Sequence, residues 1–566
     1  MRLPRDDRPV VHRFLSLPFA ICLALLAPAT LHALEPGELW RAWPVERFVR
    51  TPAPCLRPAE LGELLDELAR RHPELSVREV GRSVQGRPIR LVTLGTGDSR
   101  VLLWSQMHGD VPSATPALLD LARYLLSHRD DPDVARVLDR LTLLLVPMLN
   151  PDGAEVYTRR NAQAIDVNRD ALSLSTPEGQ LLKRLRDEHR PVLGFNLHDQ
   201  DRRRTVGDTG VLATVALLAV TGDAAQTLTP ERQLARRACA AIADTLAPHV
   251  PGGLSRYDET WNPRSFGDNI TAWGTPVVLI ESGGVAPGVG LEELTRLNFV
   301  ALGAVLVEFA RDGLANRDPA AYDALHGSTN GVWSDVVVRG GAIRQPGFGE
   351  PYRADLAFDC LRGDRELAGC APPRSEGTPS SVITELGDAR IFGAGREIDG
   401  TGRILLAPFT VGVRGWKARR WLDGAELEQL VRLGVARLVW VVKPRQVDAA
   451  ARHAASHAGE GRPRVDVSSD PGTLPRRVLA GRPQPLASSS LASRLASLEA
   501  ACRIRPSPDL DASLAALWNG ASQPSLRYKA PASFLLLRPV GGESDLARSA
   551  VEAVWLDGAE IVESAP

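Results

Sequence analysis

His108 and His198 each follow an apolar run of the chain. His108 lies in His108-Gly109-Asp110, after Val101-Leu102-Leu103-Trp104. His198 lies in Phe195-Asn196-Leu197-His198-Asp199, after Pro191-Val192-Leu193-Gly194. Neutral imidazole is a good zinc ligand, and ligands gather where the strands of an open α/β sheet end. Two imidazoles delivered by two strands are therefore candidate metal ligands. A lone histidine after a strand is more often a hydrogen-bonded core residue, but a second one in a matching framework reverses that weighting. Glu281 follows a third apolar run, Val277-Val278-Leu279-Ile280, and Arg159, Asn168 and Arg169 cluster between the two histidines. An acidic group near a bound water is a candidate general base, and arginines grip carboxylates with a two-pronged fork.

These side chains need a scaffold of alternating helices and strands. Ala59 to Arg71 carries apolar residues at helical spacing, and Val77 to Val80 and Ile89 to Thr93 read as strands around Gln85-Gly86-Arg87-Pro88. Val101 to Trp104 reads as a strand, Pro116 to Ser127 as a helix and Leu141 to Met148 as a buried strand. Helices are expected over Glu178–Glu188, Arg232–Leu246 and Leu291–Arg311, and strands over Val192–Leu197 and Pro276–Ile280. Such alternation predicts an α/β domain with a mixed sheet over residues 38–312.

Several motifs occur in order along this stretch. They are Gly81-Arg82-Ser83-Val84-Gln85-Gly86-Arg87-Pro88-Ile89, then His108-Gly109-Asp110, then Asn150-Pro151-Asp152-Gly153. Arg159-Arg160-Asn161 through Asp166-Val167-Asn168-Arg169-Asp170, Asn196-Leu197-His198-Asp199 and Glu281-Ser282-Gly283-Gly284 follow. Each is weak alone, but the ordered set resembles the zinc carboxypeptidase family of the carboxypeptidase A type. The resemblance implies that His108 and His198 hold zinc and that Asn168 and Arg169 bind the substrate's terminal carboxylate. It implies that Arg159, favoured modestly over Arg160, polarises the scissile carbonyl. It makes Glu281 the general base and then the acid toward the leaving amine. The family's mobile tyrosine has only a candidate here, Tyr257. Asp152 and Asp166 read as a turn former and a supporting aspartate.

The chain departs from the family at Val111, where the pattern has a zinc-binding glutamate. Valine cannot coordinate a metal. Asp110 turning inward, or water or Asp199 completing a weaker shell, would leave an active but impaired enzyme. Otherwise the chain binds no zinc and keeps only the carboxylate-binding cleft. A second departure is Ala164, where the family often has glycine.

The whole chain of 566 residues is long enough for several domains. Its 67 basic and 68 acidic residues balance to a net charge of −1, which gives no reason to expect nucleic acid or an anionic membrane surface as partner. Residues 1–33 read as a signal peptide: Arg2, Arg5, Arg8 and Arg13 precede the apolar Phe14 to Leu26, with cleavage candidates at Ala27-Pro28-Ala29 and Leu31-His32-Ala33. Export to the periplasm or beyond, without a stable membrane anchor, is therefore expected. An exported chain can form disulfides, and Cys360–Cys370, flanking a short polar loop, is the expected pair. Buried Cys239 is expected to stay a thiol.

After Asp312 the pattern changes. Val336 to Val338 and Ile404 to Leu406 read as short strands, predicting a β-rich accessory domain over 330–415, with a linker over 371–380. A C-terminal α/β region, partly flexible, is expected over 416–566, with Leu427 to Val442 as helix then strand. The expected function is an exported zinc-dependent carboxypeptidase acting on a C-terminal peptide or isopeptide bond of a peptide or cell-wall peptide. The alternatives are a catalytically impaired pseudoenzyme that binds such ends, and, more weakly, an amide or ester deacylase.

Overall fold

A computed structural model describes residues 35–287, 289–344, 351–361, 364–370 and 381–406. It also describes the strand segments 421–423, 464–466, 489–490, 534–538, 550–556 and 559–561. The expected signal peptide, the 371–380 linker and the helix–strand expected over Leu427–Val442 lie outside these residues.

The centre of the fold is an eight-stranded mixed sheet. Its strands are β1 (Ser76–Arg82), β2 (Pro88–Leu94), β3 (Ser99–Ser105), β4 (Leu141–Val146), β5 (Leu193–Asp199), β7 (Val215–Ala219), β8 (Leu254–Arg256) and β9 (Val277–Ser282); the short β6 (Thr205–Val206) lies outside it. They run in the order β1-β2-β4-β3-β5-β9-β7-β8. The neighbours β4, β3, β5 and β9 are parallel. Parallel strands are covered on both faces and so read as continuous apolar runs. That is why β3, β4, β5 and β9 stand out in the sequence.

Side chains alternate between two cores. Val101 and Leu103 of β3 point into a large cluster with the helices Pro36–Glu46, Pro58–Arg71, Ala114–Ser127, Pro230–Leu246 and Glu292–Ala310. Leu102 and Trp104 point the other way, against Leu181, Leu182 and Leu185 of helix Pro177–His189 and Phe266 and Ile270 of helix Phe266–Ala272. At roughly 1.5–3 kcal/mol for each large apolar side chain removed from water, these two layers supply the rigidity on which the strand ends depend. Among the described residues no helix is long and apolar enough to cross a membrane.

β-structure takes over after residue 327. The long strand Trp333–Arg344 pairs antiparallel with Tyr352–Cys360 and parallel with Gly393–Asp399 and Ile404–Leu406. Tyr352–Cys360 in turn pairs with Ser381–Gly387. The same sheet takes in Phe534–Arg538 beside Ile404–Leu406, and Ala550–Leu556 beyond it.

Among the described residues, three of the connections that tie this β-rich part to the α/β part stand out. β10 (Ser328–Thr329) pairs with β6. Arg203 reaches Asp335 at 2.6 Å and Asp359 at 3.1 Å, and donates to the carbonyl of Cys360 at 2.8 Å. The third is covalent, a Cys55–Cys370 disulfide with Cα atoms 5.8 Å apart. This corrects the expected Cys360–Cys370 pair. Cys360 ends its strand with its carbonyl turned to Arg203, while Ala368 and Cys370 both meet Cys55. The Cα separation lies within the span a disulfide needs. Cys239 is fully buried and reduced, as expected.

Candidate active-site cavity

Three adjacent parallel strands deliver the central residues. His198 is within β5 and Glu281 within β9, and the two are direct register partners. β3 pairs with β5 through Ser105 and Leu197, so the chain leaving β3 carries His108 to the same edge. The turn there is tight. Gln106 has a φ of 51°, in the left-handed region that a side chain rarely adopts. It is held because its side chain donates to the Gly109 carbonyl and accepts from Thr115 Oγ1, while its carbonyl accepts from Asn150 N. Gly109 is needed for packing: a Cβ there would lie 1.9 Å from the carbonyl carbon of Gly153.

His108, Arg159, Asn168, Arg169, His198 and Glu281, the six residues singled out in the sequence, all line one cavity of about 400 Å³. Tyr257, Asp199 and Arg204 line it as well. The two imidazole rings meet edge to face with centroids 4.9 Å apart.

Asp166 organises one side of the cavity. Its Oδ1 lies 2.9 Å from His108 Nε2 and accepts the Asn168 backbone N–H, while its Oδ2 accepts from Arg159 Nε at 3.0 Å. Arg159 Nη1 lies 3.1 Å from His108 Nδ1. One tautomer satisfies all of these contacts: His108 donates through Nε2–H and accepts at Nδ1. Burial opposes ionisation of Asp166, but the hydrogen bond from His108 and the charges of Arg159 and Arg169 hold its carboxyl below the usual range. The sequence pattern marks Asp166 as a supporting aspartate but does not identify its partners. Its place as cap of the short turn Val167–Arg169 was the available signal.

The Asn168–Arg169 pair is set by the same turn. Asn168 Oδ1 accepts from Phe266 N, so what Asn168 can offer the cavity is its amide N–H donors. Arg169 Nη1 donates to the Asn168 carbonyl. Asp152 works elsewhere, receiving Ser83 Oγ, Gln85 N and Arg87 Nη1, and so locks the loop between β1 and β2. Ala164 has a φ of 60°, which explains why glycine suits that position.

Burial dominates the electrostatics. It lowers the pKa of both imidazoles, and for His198 the neighbouring His108 and the charge of Arg159 lower it further. Desolvation pushes Glu281 up to about 8, with Asp199 adding to the effect and Arg159 and Arg204 opposing it. Asp199 rises to about 7, again chiefly through burial, despite two hydrogen bonds from Ser113.

Val111 is 6% exposed and is not among the residues lining this cavity. Asp110 faces a neighbouring cavity of about 280 Å³, together with Ser113, Tyr157 and Asp364, and so does not turn in beside the imidazoles. Asp199 contributes to both cavities, with Oδ2 held by Ser113. Among the described residues no group of three His, Cys, Asp or Glu side chains is arranged to hold a metal.

Comparison with known families agrees with the ordered motifs. A family model described as zinc carboxypeptidase matches residues 61–184. Over that stretch the chain matches the zinc carboxypeptidase family. His108, Arg159, Asn168 and Arg169 fall inside the matched segment, and His198 and Glu281 beyond it.

Among curated relatives of this family, carboxypeptidase M of Mus musculus is 27% identical over 219 residues, covering 34% of this chain and 47% of its own length. Carboxypeptidase D of Rattus norvegicus is 30% identical over 138 residues, covering 21% of this chain and 10% of its own. The chain thus spans under half the length of these relatives. A solved metallo-carboxypeptidase from Burkholderia cenocepacia aligns with 21% identity and a TM-score of 0.37, over 45% of this chain and 69% of its own.

A catalytic zinc takes three protein ligands and keeps an open position. This family's zinc does not fit the residues present. Among the described residues the two imidazoles are joined by no third side chain arranged to hold a metal, and Val111 is apolar and buried. The Nδ1 lone pair of His108 already accepts from Arg159.

Proposed function

We propose that this chain recognises the free C-terminal carboxylate of a peptide or cell-wall peptide on a carboxypeptidase-family scaffold. The observation that carries this reading is that Arg159, Asn168 and Arg169 line one cavity with the two imidazoles, while the donor set for zinc is incomplete. Arg169 and the amide of Asn168 supply the donors for the carboxylate, and Arg159 supplies the next cation along the peptide. Burial keeps Glu281 protonated at neutral pH, where it donates a hydrogen bond to a bound carbonyl instead of acting as a base.

A second reading is a zinc-dependent metallocarboxypeptidase with Glu281 as general base. It is favoured by the register pairing that sets Glu281 directly beside His198. It requires a metal held by fewer protein ligands than a catalytic zinc keeps.

The site of action in both readings is the periplasm or the outside of the cell. The signal-like N-terminus and the Cys55–Cys370 bond, which belongs to an oxidising compartment, support it.

Calorimetric titration with a tripeptide and with its C-terminal amide tests the proposal. The acid form is expected to bind, the amide to bind much more weakly, and Arg169→Met to weaken the acid form by roughly 10- to 100-fold. Equal binding of acid and amide refutes carboxylate recognition. Release of the terminal amino acid during the titration establishes the second reading.

A further inference from the structure

We propose that Arg159 is itself the resident cation of this centre: its guanidinium stands where a metal would meet His108, and the cavity binds an anionic peptide end without metal. The inference rests on the carboxylate-recognition reading above and adds what provides the central positive charge.

The geometry is a closed ring of three side chains. Arg159 Nη1 lies 3.1 Å from His108 Nδ1, His108 Nε2 lies 2.9 Å from Asp166 Oδ1, and Asp166 Oδ2 lies 3.0 Å from Arg159 Nε. Asp166 takes Nε2, so Nδ1 is the only lone pair His108 can offer a metal. Arg159 donates to that lone pair. A metal and this guanidinium therefore compete for one atom. The guanidinium is planar and always charged, and two of its nitrogens are fixed by Asp166 and His108. Its orientation is settled before a ligand arrives, which favours an anion in the cavity.

Position 111 gives the same result from the other side. An apolar, buried side chain outside the cavity adds no negative charge to hold a second cation beside Arg159. The cation in contact with His108 is thus the guanidinium of Arg159, carried by protein.

The test uses the full chain and three probes, namely zinc alone, a tripeptide and its C-terminal amide. Wild-type protein dialysed against zinc is expected to hold well under one equivalent, and its tripeptide affinity is expected to be the same with and without EDTA. The Val111→Glu, Arg159→Met double variant restores a carboxylate and frees Nδ1, and is expected to take up about one zinc. Arg159→Lys keeps the charge but not the fork. It is expected to fold and to lose roughly tenfold or more in tripeptide affinity.

In wild-type protein, zinc is expected to leave the imidazole nitrogen resonances of His108 unmoved, a readout that needs no variant. About one equivalent of zinc in wild-type protein, an EDTA-sensitive affinity or a zinc-shifted His108 signal overturns the inference while carboxylate recognition stands. Equal binding of acid and amide instead overturns the reading beneath it.

Discussion

Glu281→Gln separates the cost of a buried acid from its chemistry. Glu281 is 7% exposed, and its pKa rises from 4.5 to about 8. The sign follows from proton counting. Between these two values the folded chain keeps a proton that the unfolded chain releases, so stability falls as pH rises through the window and levels off above about 8. The shift of about 3.5 units corresponds to a ceiling near 5 kcal/mol at about 1.4 kcal/mol per unit. Asp199 adds to the rise of Glu281, while its own rise to about 7 comes chiefly from burial. Part of the Glu281 shift therefore depends on Asp199, and roughly 2–5 kcal/mol is the expected span for removing Glu281. Glutamine keeps the shape and cannot ionise. The variant is therefore expected to match wild type at pH 5 and to exceed it by roughly 5–15 °C in melting temperature at pH 9, at about 2–4 °C per kcal/mol for a domain of this size. Scanning fluorimetry from pH 5 to 9 reads this directly. Parallel curves for the two proteins would refute the argument that Glu281 is held neutral by burial.

Other perturbations follow from the same geometry. Ala164→Gly relieves a left-handed backbone and is expected to stabilise the chain by about 0.5–1.5 kcal/mol, measured by chemical denaturation; a loss of stability would contradict the strain. Asp166→Ala removes the acceptor shared by His108, Arg159 and Asn168 N, and is expected to cost about 2–4 kcal/mol and to weaken tripeptide binding, whereas unchanged binding would show that Arg159 needs no anchor. Reduction of Cys55–Cys370 is expected to lower stability by about 2–4 kcal/mol, and a Cys55→Ser, Cys370→Ser variant is expected to melt where the reduced protein does.

The strands that carry the candidate site were legible because burial on both faces makes them continuous apolar runs. Val101–Trp104 and Pro276–Ile280 were placed within a few residues of β3 and β9. β7 was not anticipated. Its Val215-Ala216-Leu217-Leu218-Ala219 carries alanine and leucine, which favour helix as much as strand, and only the edge of β9 selects the extended form. β8 is a three-residue strand whose pairing comes from β7.

The types of the six cavity residues were readable, but their contacts were not. The facing of His198 and Glu281 is a register between strands far apart in sequence, and the ring through Asp166 depends on one tautomer and on the turn at Asn168. The disulfide was misread because sequence proximity favoured Cys360, while the real partner of Cys370 is 315 residues away.

That long-range bond sets an order of events during synthesis. Cys55 emerges early and waits, since its partner appears only after the whole α/β core and the first β-strands of the accessory sheet have been made. Ala53 and Pro54, just before it, line the smaller cavity together with Asp364, just before Cys370. Oxidation of the pair therefore fastens together two segments that border that cavity, so a chain kept in a reducing environment would carry the larger cavity beside an unfastened rim.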